Sequence, residues 1–476
     1  MIARRVTSLM LSAASLVFAP IAIAEDAGPV LARIMPVGET FDTVAVETKY
    51  GVLLGERAGD VNVFRGVPFA APPVGDRRWA APQPVKPWLG MRAAVAHEPA
   101  CPQPTPADDA VLNQGGVAGP QSEDCLYLQV YAPAAAVKVP VVVWFHGGGS
   151  FLGAGHLGSY FGHANAEKGV VTVPVNYRLG ALGYFAHPAI SAEEGPTGAY
   201  ALMDAVAALE WVRDNIDAFG GDPENVTIAG QSAGGVMIVN LLAAPSAKGL
   251  FHKAVIQSGA LVTGGVALDV AETRAVQALE KIGVGAEASA AELRTISAQT
   301  FSYNPDLRTG LGPVLDGEFF VTSARDALAA GTQADVPLLI GANKGEPGFQ
   351  AARRVAAAMG ENGAGAWLYR FDYMPEFRKA AWTNGAIHSA ELMFTFDTIA
   401  TSGWSDGQTT EADEQYAELV SSCWTAFYKM PAGARSFQCA DGFIWPAYTA
   451  EGGETAQFAD SVTIANASDL PDGPAR

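Results

Sequence analysis

Positive charge is scarce in this chain: 30 Lys and Arg stand against 49 Asp and Glu, a formal net charge of −19. That balance argues against a basic surface able to track a phosphate backbone, so nucleic acid is not an expected partner. Charge of either sign is thin, at 17% of residues, while 49% are apolar. A chain so composed folds around a large core and is neither disordered nor fibrous. Cysteine is rare as well, four in 476 residues, and no Cys/His cluster has the spacing of metal ligands. The sequence has no G-x-x-x-x-G-K-[ST] phosphate loop. Beyond the N-terminal stretch it has no second segment that would span a bilayer, and no internal repeat or low-complexity linker.

What is present begins with an export signal. Arg4 and Arg5 precede an apolar run from Val6 to Ala19, and Ala22-Ile23-Ala24 offers the small residues a signal peptidase accepts. Residues 1–24 are therefore expected to be a cleaved signal peptide of a secreted or periplasmic protein, with 25–476 as the mature domain. A membrane anchor is the competing reading, but the run is shorter than the roughly 20 residues that cross a bilayer. The paired arginines hint at a twin-arginine route. In an oxidising compartment the cysteines can pair, and they fall in two local sets. Cys101 and Cys125 bracket a loop rich in Pro, Gly and Asp, while Cys423 and Cys439 bracket a segment with Pro431 and Gly433. Each bridge would close a loop on the order of 15 to 25 residues and contribute about 3 kcal/mol. Buried free thiols are the alternative, which weighs more on the second set. Asn225-Val226-Thr227 and Asn466-Ala467-Ser468 are glycosylation sequons, meaningful only where the source glycosylates them.

The hydrophobic pattern changes along the chain. Val44–Tyr50 and Val61–Phe64 alternate, as strands of N-terminal hairpins do. Val139–Phe145 and Gly169–Val175 are continuous apolar runs, the pattern of strands buried on both faces of a parallel sheet. Ala199–Phe219 carries apolar residues at helical spacing and ends in Gly220-Gly221; Asn225–Gly230 is then another buried strand. Lys253–Gln257, Val336–Gly341 and Trp367–Tyr373 supply more. Strand, helix and strand alternate, which predicts one doubly wound α/β domain with its site at the carboxyl ends of the strands. The polar stretch after Thr449 is expected to be weakly ordered.

The strand closing at Ile228 runs into Gly230-Gln231-Ser232-Ala233-Gly234-Gly235. This is G-x-S-x-G, in which a sharp turn from strand into helix lifts the serine hydroxyl into a pocket, and the flanking glycines permit the close crossing. The bland reading is a glycine-rich turn with an incidental serine, and the placement between buried strand and helix argues against it. His146-Gly147-Gly148-Gly149 follows the Val139–Phe145 strand. Backbone N–H groups of Gly148, Gly149 and Ala233 are candidate donors to an oxyanion, a type of contact whose loss removes about 3 kcal/mol of transition-state stabilisation. In this architecture the order along the chain is Ser, acid, His. Only His252 and His388 follow Ser232, and His252 is too close to leave room for an acid-bearing strand, so His388 is the candidate base. Glu346 follows the Val336–Gly341 strand and is the candidate acid, with Asp372 in reserve. The constellation reads as a Ser-His-Glu triad forming an acyl-enzyme, with no metal or organic cofactor.

Several further motifs agree. Glu123-Asp124-Cys125-Leu126-Tyr127-Leu128-Gln129-Val130-Tyr131-Ala132-Pro133, Arg65-Gly66-Val67-Pro68-Phe69-Ala70, Asn176-Tyr177-Arg178-Leu179-Gly180 and Phe219-Gly220-Gly221-Asp222-Pro223-Glu224-Asn225-Val226-Thr227 all occur. With them the chain resembles the type-B carboxylesterase and cholinesterase family of α/β-hydrolases, of the bacterial carboxylesterase kind, from about Thr43 to Tyr448. The resemblance implies Ser232, Glu346 and His388 as triad and Gly148, Gly149 and Ala233 as oxyanion hole. It also implies a Cys101–Cys125 disulfide and a buried Arg78–Glu123 ion pair. The departures matter too. Gln231 stands where the family usually has Glu, and the Cys101–Cys125 loop has no tryptophan to stack on a quaternary ammonium, which together argue against choline esters. Pro347 beside the acid could shift its loop. Ala260 replaces a common serine, weakening the network around His388, although Glu391 is retained. The short interval between Glu346 and His388 implies a reduced cap and a more open cleft.

The expected function is hydrolysis of uncharged or weakly charged carboxylic esters, with a small-molecule ester as the partner. A catalytically silent, esterase-like binding protein is the competing class, and a serine peptidase on the same fold is a third reading. Oligomeric state and natural substrate are not written in the sequence.

Overall fold

Val139–Phe145 shows why the sheet forms as it does. Its side chains alternate between two separate cores: Val141, Val143 and Phe145 pack with Leu202, Leu209 and Ile238 on one face, Val142 and Trp144 with Trp367, Trp424 and Phe427 on the other. A strand apolar at every position thus finds an apolar environment at every position. The computed structural model describes residues 42–474 apart from 105–117, 196–197, 308–312, 362 and 406. The described residues form one compact unit, and the candidate signal segment 1–24 lies outside them.

Among the described residues thirteen strands make the main sheet. Three antiparallel strands, Asp42–Thr48, Gly51–Ala58 and Val61–Pro68, form one end, with Met91–Ala93 alongside the second. Tyr127–Pro133 joins them to Val171–Val175. From there the strands run parallel, in the order Val171–Val175, Val139–Phe145, Gly221–Gln231, Lys253–Gln257, Leu338–Asn343, Ala366–Phe371 and Glu454–Phe458, and an antiparallel Val462–Asn466 closes the edge. The chain steps one way from Val139–Phe145 to its neighbour Val171–Val175, then returns to its other side with Gly221–Gln231. Such a reversal opens a crevice at the carboxyl ends of the strands. Tyr200–Asn215 covers one face, and its continuation Ile216–Phe219 stops at Gly220, which takes the left-handed conformation the sequence reserved for glycine there. Glu411–Lys429 covers the other face behind a Thr410/Asp413 capping box.

Two expectations need correction or completion. The stretch after Thr449 is not loose: it supplies the last two strands, with Thr455, Ala456 and Phe458 fully buried. Its short alternating segments are flanked by Gly and acidic residues, which masked them as tail. Both cysteine sets are bridged, Cys423–Cys439 as well as Cys101–Cys125. The Asn225 sequon lies in a central strand, where Thr227 is inaccessible and the Asn225 amide holds Lys253 at 2.5 Å. Among the described residues no helix is long and apolar enough to cross a membrane.

Arg78 and Glu123 pair as a fork, Nε to Oε2 at 2.6 Å and a terminal nitrogen to Oε1 at 2.5 Å. The remaining terminal nitrogen donates to the carbonyl of Ile296 at 2.6 Å, tying two distant segments. Arg78→Ala is expected to lower stability by about 3 kcal/mol, because a half-buried carboxylate loses its partner. Arg78→Lys should recover only part of it, since an ammonium cannot form the fork. Urea denaturation midpoints measure both.

Candidate active site

Strand Gly221–Gln231 and helix Ala233–Ala243 leave a single residue for the turn between them. That residue is Ser232, at φ 53° and ψ −118°. A side-chain-bearing residue held at positive φ stores on the order of 1–3 kcal/mol. Its N–H donates to the Gln257 carbonyl at 2.8 Å, and its carbonyl accepts from Val236 N–H at 2.9 Å, so sheet and helix both enforce the turn. A Cβ on Gly230 would strike the backbone of Gly234, and one on Gly234 would strike the carbonyls of Phe145 and His146. The G-x-S-x-G spacing is therefore a packing requirement as much as a chemical one.

Beside it, Gly148 and Gly149 adopt φ 107° and 63°, and a Cβ on Gly148 would collide with the Leu152 carbonyl. Among the described residues none of the N–H groups of Gly148, Gly149 and Ala233 is taken by a protein acceptor. His146 supports this loop as a neutral ring. It is buried, stacked on Tyr177 with centroids 4.5 Å apart, and burial lowers its pKa to about 4.

Glu346 is buried in the loop after Leu338–Asn343. One carboxylate oxygen faces Nδ1 of His388, and the other accepts from the Ser258 hydroxyl at 2.5 Å and the Asn343 N–H at 3.0 Å. Burial alone would raise its pKa, but His388, Ser258 and Asn343 together bring it below the usual glutamate value, so it stays ionised. Pro347 has not displaced the acid from His388. Asp372, the reserve candidate, is engaged instead by Lys344 at 2.7 Å. An ionised carboxylate at Nδ1 fixes the proton there and leaves the Nε2 lone pair as acceptor. Among the described residues no hydrogen bond joins the Ser232 hydroxyl to that nitrogen; the donor there is the Gln231 side-chain amide, at 3.2 Å. The same amide also donates to the Ser389 hydroxyl at 3.0 Å.

Ser258 belongs to the site although no motif marks it. Ser258 and Ser389 share with Ser232 a positive φ, 50° and 72°, and both hydroxyls belong to the network around His388. The one cue was the Ser258-Gly259 pair directly after a buried strand. Where Ala260 lacks a hydroxyl, Ser258 supplies one to the acid. Glu391 lies behind, fully buried, accepting from Asn343 Nδ2 at 2.5 Å and Gln257 Nε2 at 3.3 Å. Burial, reinforced by the charge of Glu346, raises its pKa from 4.5 to about 6.

Known proteins share this arrangement of elements. The pattern of the carboxylesterase family ("Carboxylesterase family") matches residues 42–357. Para-nitrobenzyl esterase of Bacillus subtilis is 34% identical over 88% of this chain and 96% of that protein. Fumonisin B1 esterase of Sphingopyxis macrogoltabida is 40% identical over 60% of this chain and 54% of its own length. Among solved structures, a thermophilic PNB esterase superposes with a TM-score of 0.78 at 31% identity, over 89% of this chain and 97% of that one. A carboxylesterase of Geobacillus stearothermophilus does so with a TM-score of 0.74 at 29% identity over the same shares.

The buried Glu391 predicts a pH signature. Its folded pKa lies above the unfolded one, so its contribution to stability is complete below pH 4.5 and is lost as pH rises through about 6. Glu391→Gln should gain stability relative to the parent as pH increases across that window, by on the order of 2 kcal/mol. Chemical denaturation at pH 4.5 and pH 8 measures it; an offset that does not change with pH contradicts the assignment.

Proposed function

This chain belongs to the carboxylesterase family, and from that premise we propose that it hydrolyses carboxylic esters at Ser232, with His388 as base and Glu346 as acid. His388 Nε2 takes the Ser232 proton as Oγ attacks the ester carbonyl carbon. The oxyanion that forms is met by the N–H groups of Gly148, Gly149 and Ala233, which have no protein acceptor among the described residues. His388 returns the proton to the departing alkoxide, releasing the alcohol and leaving an acyl-serine. Water then loses a proton to His388 and attacks the acyl carbon; as the acyl–Oγ bond breaks, His388 gives that proton to Ser232 Oγ and the carboxylic acid departs. Glu346 holds the imidazole tautomer and stabilises the imidazolium; its contact with Nδ1 is the observation that carries the reading. The Ser232 hydroxyl has to replace Gln231 at Nε2, a side-chain rotation of the kind that tightens when substrate arrives.

Uncharged Gln231 and the absence of tryptophan between Cys101 and Cys125 favour neutral or weakly charged esters over cationic ones. The acidic surface would disfavour anionic esters at low ionic strength. A cleaved leader at 1–24 and export belong to the same proposal, and two disulfides support an oxidising compartment. One observation favours the competing reading, a silent binding protein: it is Gln231, not Ser232, that donates to His388.

A fluorophosphonate probe separates the two. Labelling of the folded protein that disappears in Ser232→Ala, with ester turnover falling by at least about 10⁴-fold, supports the enzyme. Folded protein that takes up no label supports the binder.

Gln231 sets a second expectation. A carboxylate in its place, 3.2 Å from His388 Nε2, would favour the imidazolium. Gln231→Glu should therefore move the acidic limb of the kcat/KM–pH profile to higher pH, by about one pH unit. An unmoved limb would remove Gln231 from contact with the working base.

A further inference from the structure

The loop that presents Glu346 is held from two sides. On the inner side, Lys344 N–H donates to the Phe371 carbonyl at 2.8 Å and Gly345 N–H to the Ala386 carbonyl at 2.9 Å. On the outer side lies Leu470–Gly473, more than 120 residues further along. Gly473 sits so close that a Cβ placed on it would collide with the carbonyl oxygens of both Lys344 and Glu346. Asp472 Oδ1 accepts from the N–H of Gln350, in the first turn of the Phe349–Glu361 helix that follows the acid, at 2.8 Å. The Gln350 side chain donates to the Leu470 carbonyl at 3.1 Å. Arg370, on the neighbouring Ala366–Phe371 strand, hydrogen-bonds the Pro471 carbonyl, and its guanidinium lies 5.1 Å over the Phe349 ring.

Leu470 anchors this segment in the core, whereas Pro471 and Asp472 beyond it are exposed, so the contacts of Pro471, Asp472 and Gly473 are polar or backbone contacts and not apolar burial. The sheet is already complete at Asn466. What they do touch is the backbone of the acid, the start of the next helix and the adjoining strand. The loop between contains Pro347, which has no N–H to anchor it, and Gly348 at φ 120°. We propose that Leu470–Gly473 is a strap that positions Glu346, with Asp472 and Gly473 as positioning residues for hydrolysis. The proposal rests on the triad reading above. Without the strap, the carboxylate drifts from Nδ1, and the imidazolium loses part of its stabilisation.

The charged and titratable groups around this pair are Glu391 ahead of Leu392–Thr395, the Tyr369 hydroxyl, the Lys344–Asp372 ion pair, Arg370, and Asp472 itself. Gln231 and Ser258 are its uncharged neighbours. The charge of Asp472 is controlled by comparing two replacements: Asp472→Asn removes the charge but keeps an oxygen for Gln350 N–H, whereas Asp472→Ala removes both.

Steady-state hydrolysis of a chromogenic ester across pH, on the full chain, tests the strap. Asp472→Ala and Gly473→Val are expected to lower kcat about tenfold with KM little changed. Their acidic limb should move to lower pH, because a less stabilised imidazolium gives up its proton more readily. Asp472→Asn should stay close to the parent. Adding Asp472→Ala to Glu346→Gln should cost nothing further, as two changes acting through one group are not additive. Parental kcat and profile in both Asp472→Ala and Gly473→Val overturn the strap. A loss that tracks the folded fraction with an unmoved profile overturns it too, leaving packing alone. Glu346→Gln with full activity sinks the triad reading itself, whatever the strap variants do.

Discussion

A backbone crossing without room for side chains governs this site. Gly230, Gly234 and the carbonyl of Phe145 approach so closely that the strand entering Ser232 and the helix leaving it lie against the neighbouring strand. Given that crossing, Ser232 has one conformation open to it, and its positive φ follows. The same crossing brings Gly147, which leads into Gly148 and Gly149, within 3.2 Å of Ser232 Cβ when a Cβ is placed on it, so the proposed nucleophile and the loop of the proposed oxyanion donors share one constraint. The strain is modest beside the cooperative packing of a sheet buried on both faces, which is why it persists.

Around that fixed point two carboxylates occupy opposite regimes. Glu346 and Glu391 are both buried, yet one is held ionised and the other is pushed toward its neutral form. The difference lies in partners. Glu346 has an imidazole, a hydroxyl and a backbone N–H, while Glu391 has two side-chain amides and the repulsion of its fellow carboxylate. Asn343 touches both, through its backbone and its side chain, and couples the pair. Placing the negative charge on the member next to His388 suits the role proposed for it, a base that must become a cation.

The parts legible in the sequence were those with a local physical signature. Val139–Phe145 and Val171–Val175 announce burial by being apolar throughout, and Tyr200–Asn215 by its spacing and the glycine stop behind it. Ser232 was marked by the glycines its crossing demands, and Glu346 and His388 by chain order. Contacts between distant segments left little trace. The hydroxyl of Ser258 turns toward Glu346 only because its own backbone bends, and the amide of Gln231 reaches His388 across 157 residues of chain. Glu454–Phe458 is five residues long, pairs with Ala366–Phe371 and packs its Phe458 ring against Trp424 and Trp445. Its membership of the sheet is a property of the partner strand, which no window of local sequence contains.

Ser232, Ser258 and Glu346 hang from three strands that are immediate neighbours in the sheet, Gly221–Gln231, Lys253–Gln257 and Leu338–Asn343. Adjacent strands sit about 4.8 Å apart whatever the chain does between them. The excursion from Val266 to Ala330, with four helices among its described residues, leaves the sheet after Lys253–Gln257 and returns before Leu338–Asn343, so the separations of the candidate reacting groups are set by the ladder and not by its length. The chemistry proposed for this chain is thereby written into ladder geometry and not into the segments that connect the strands.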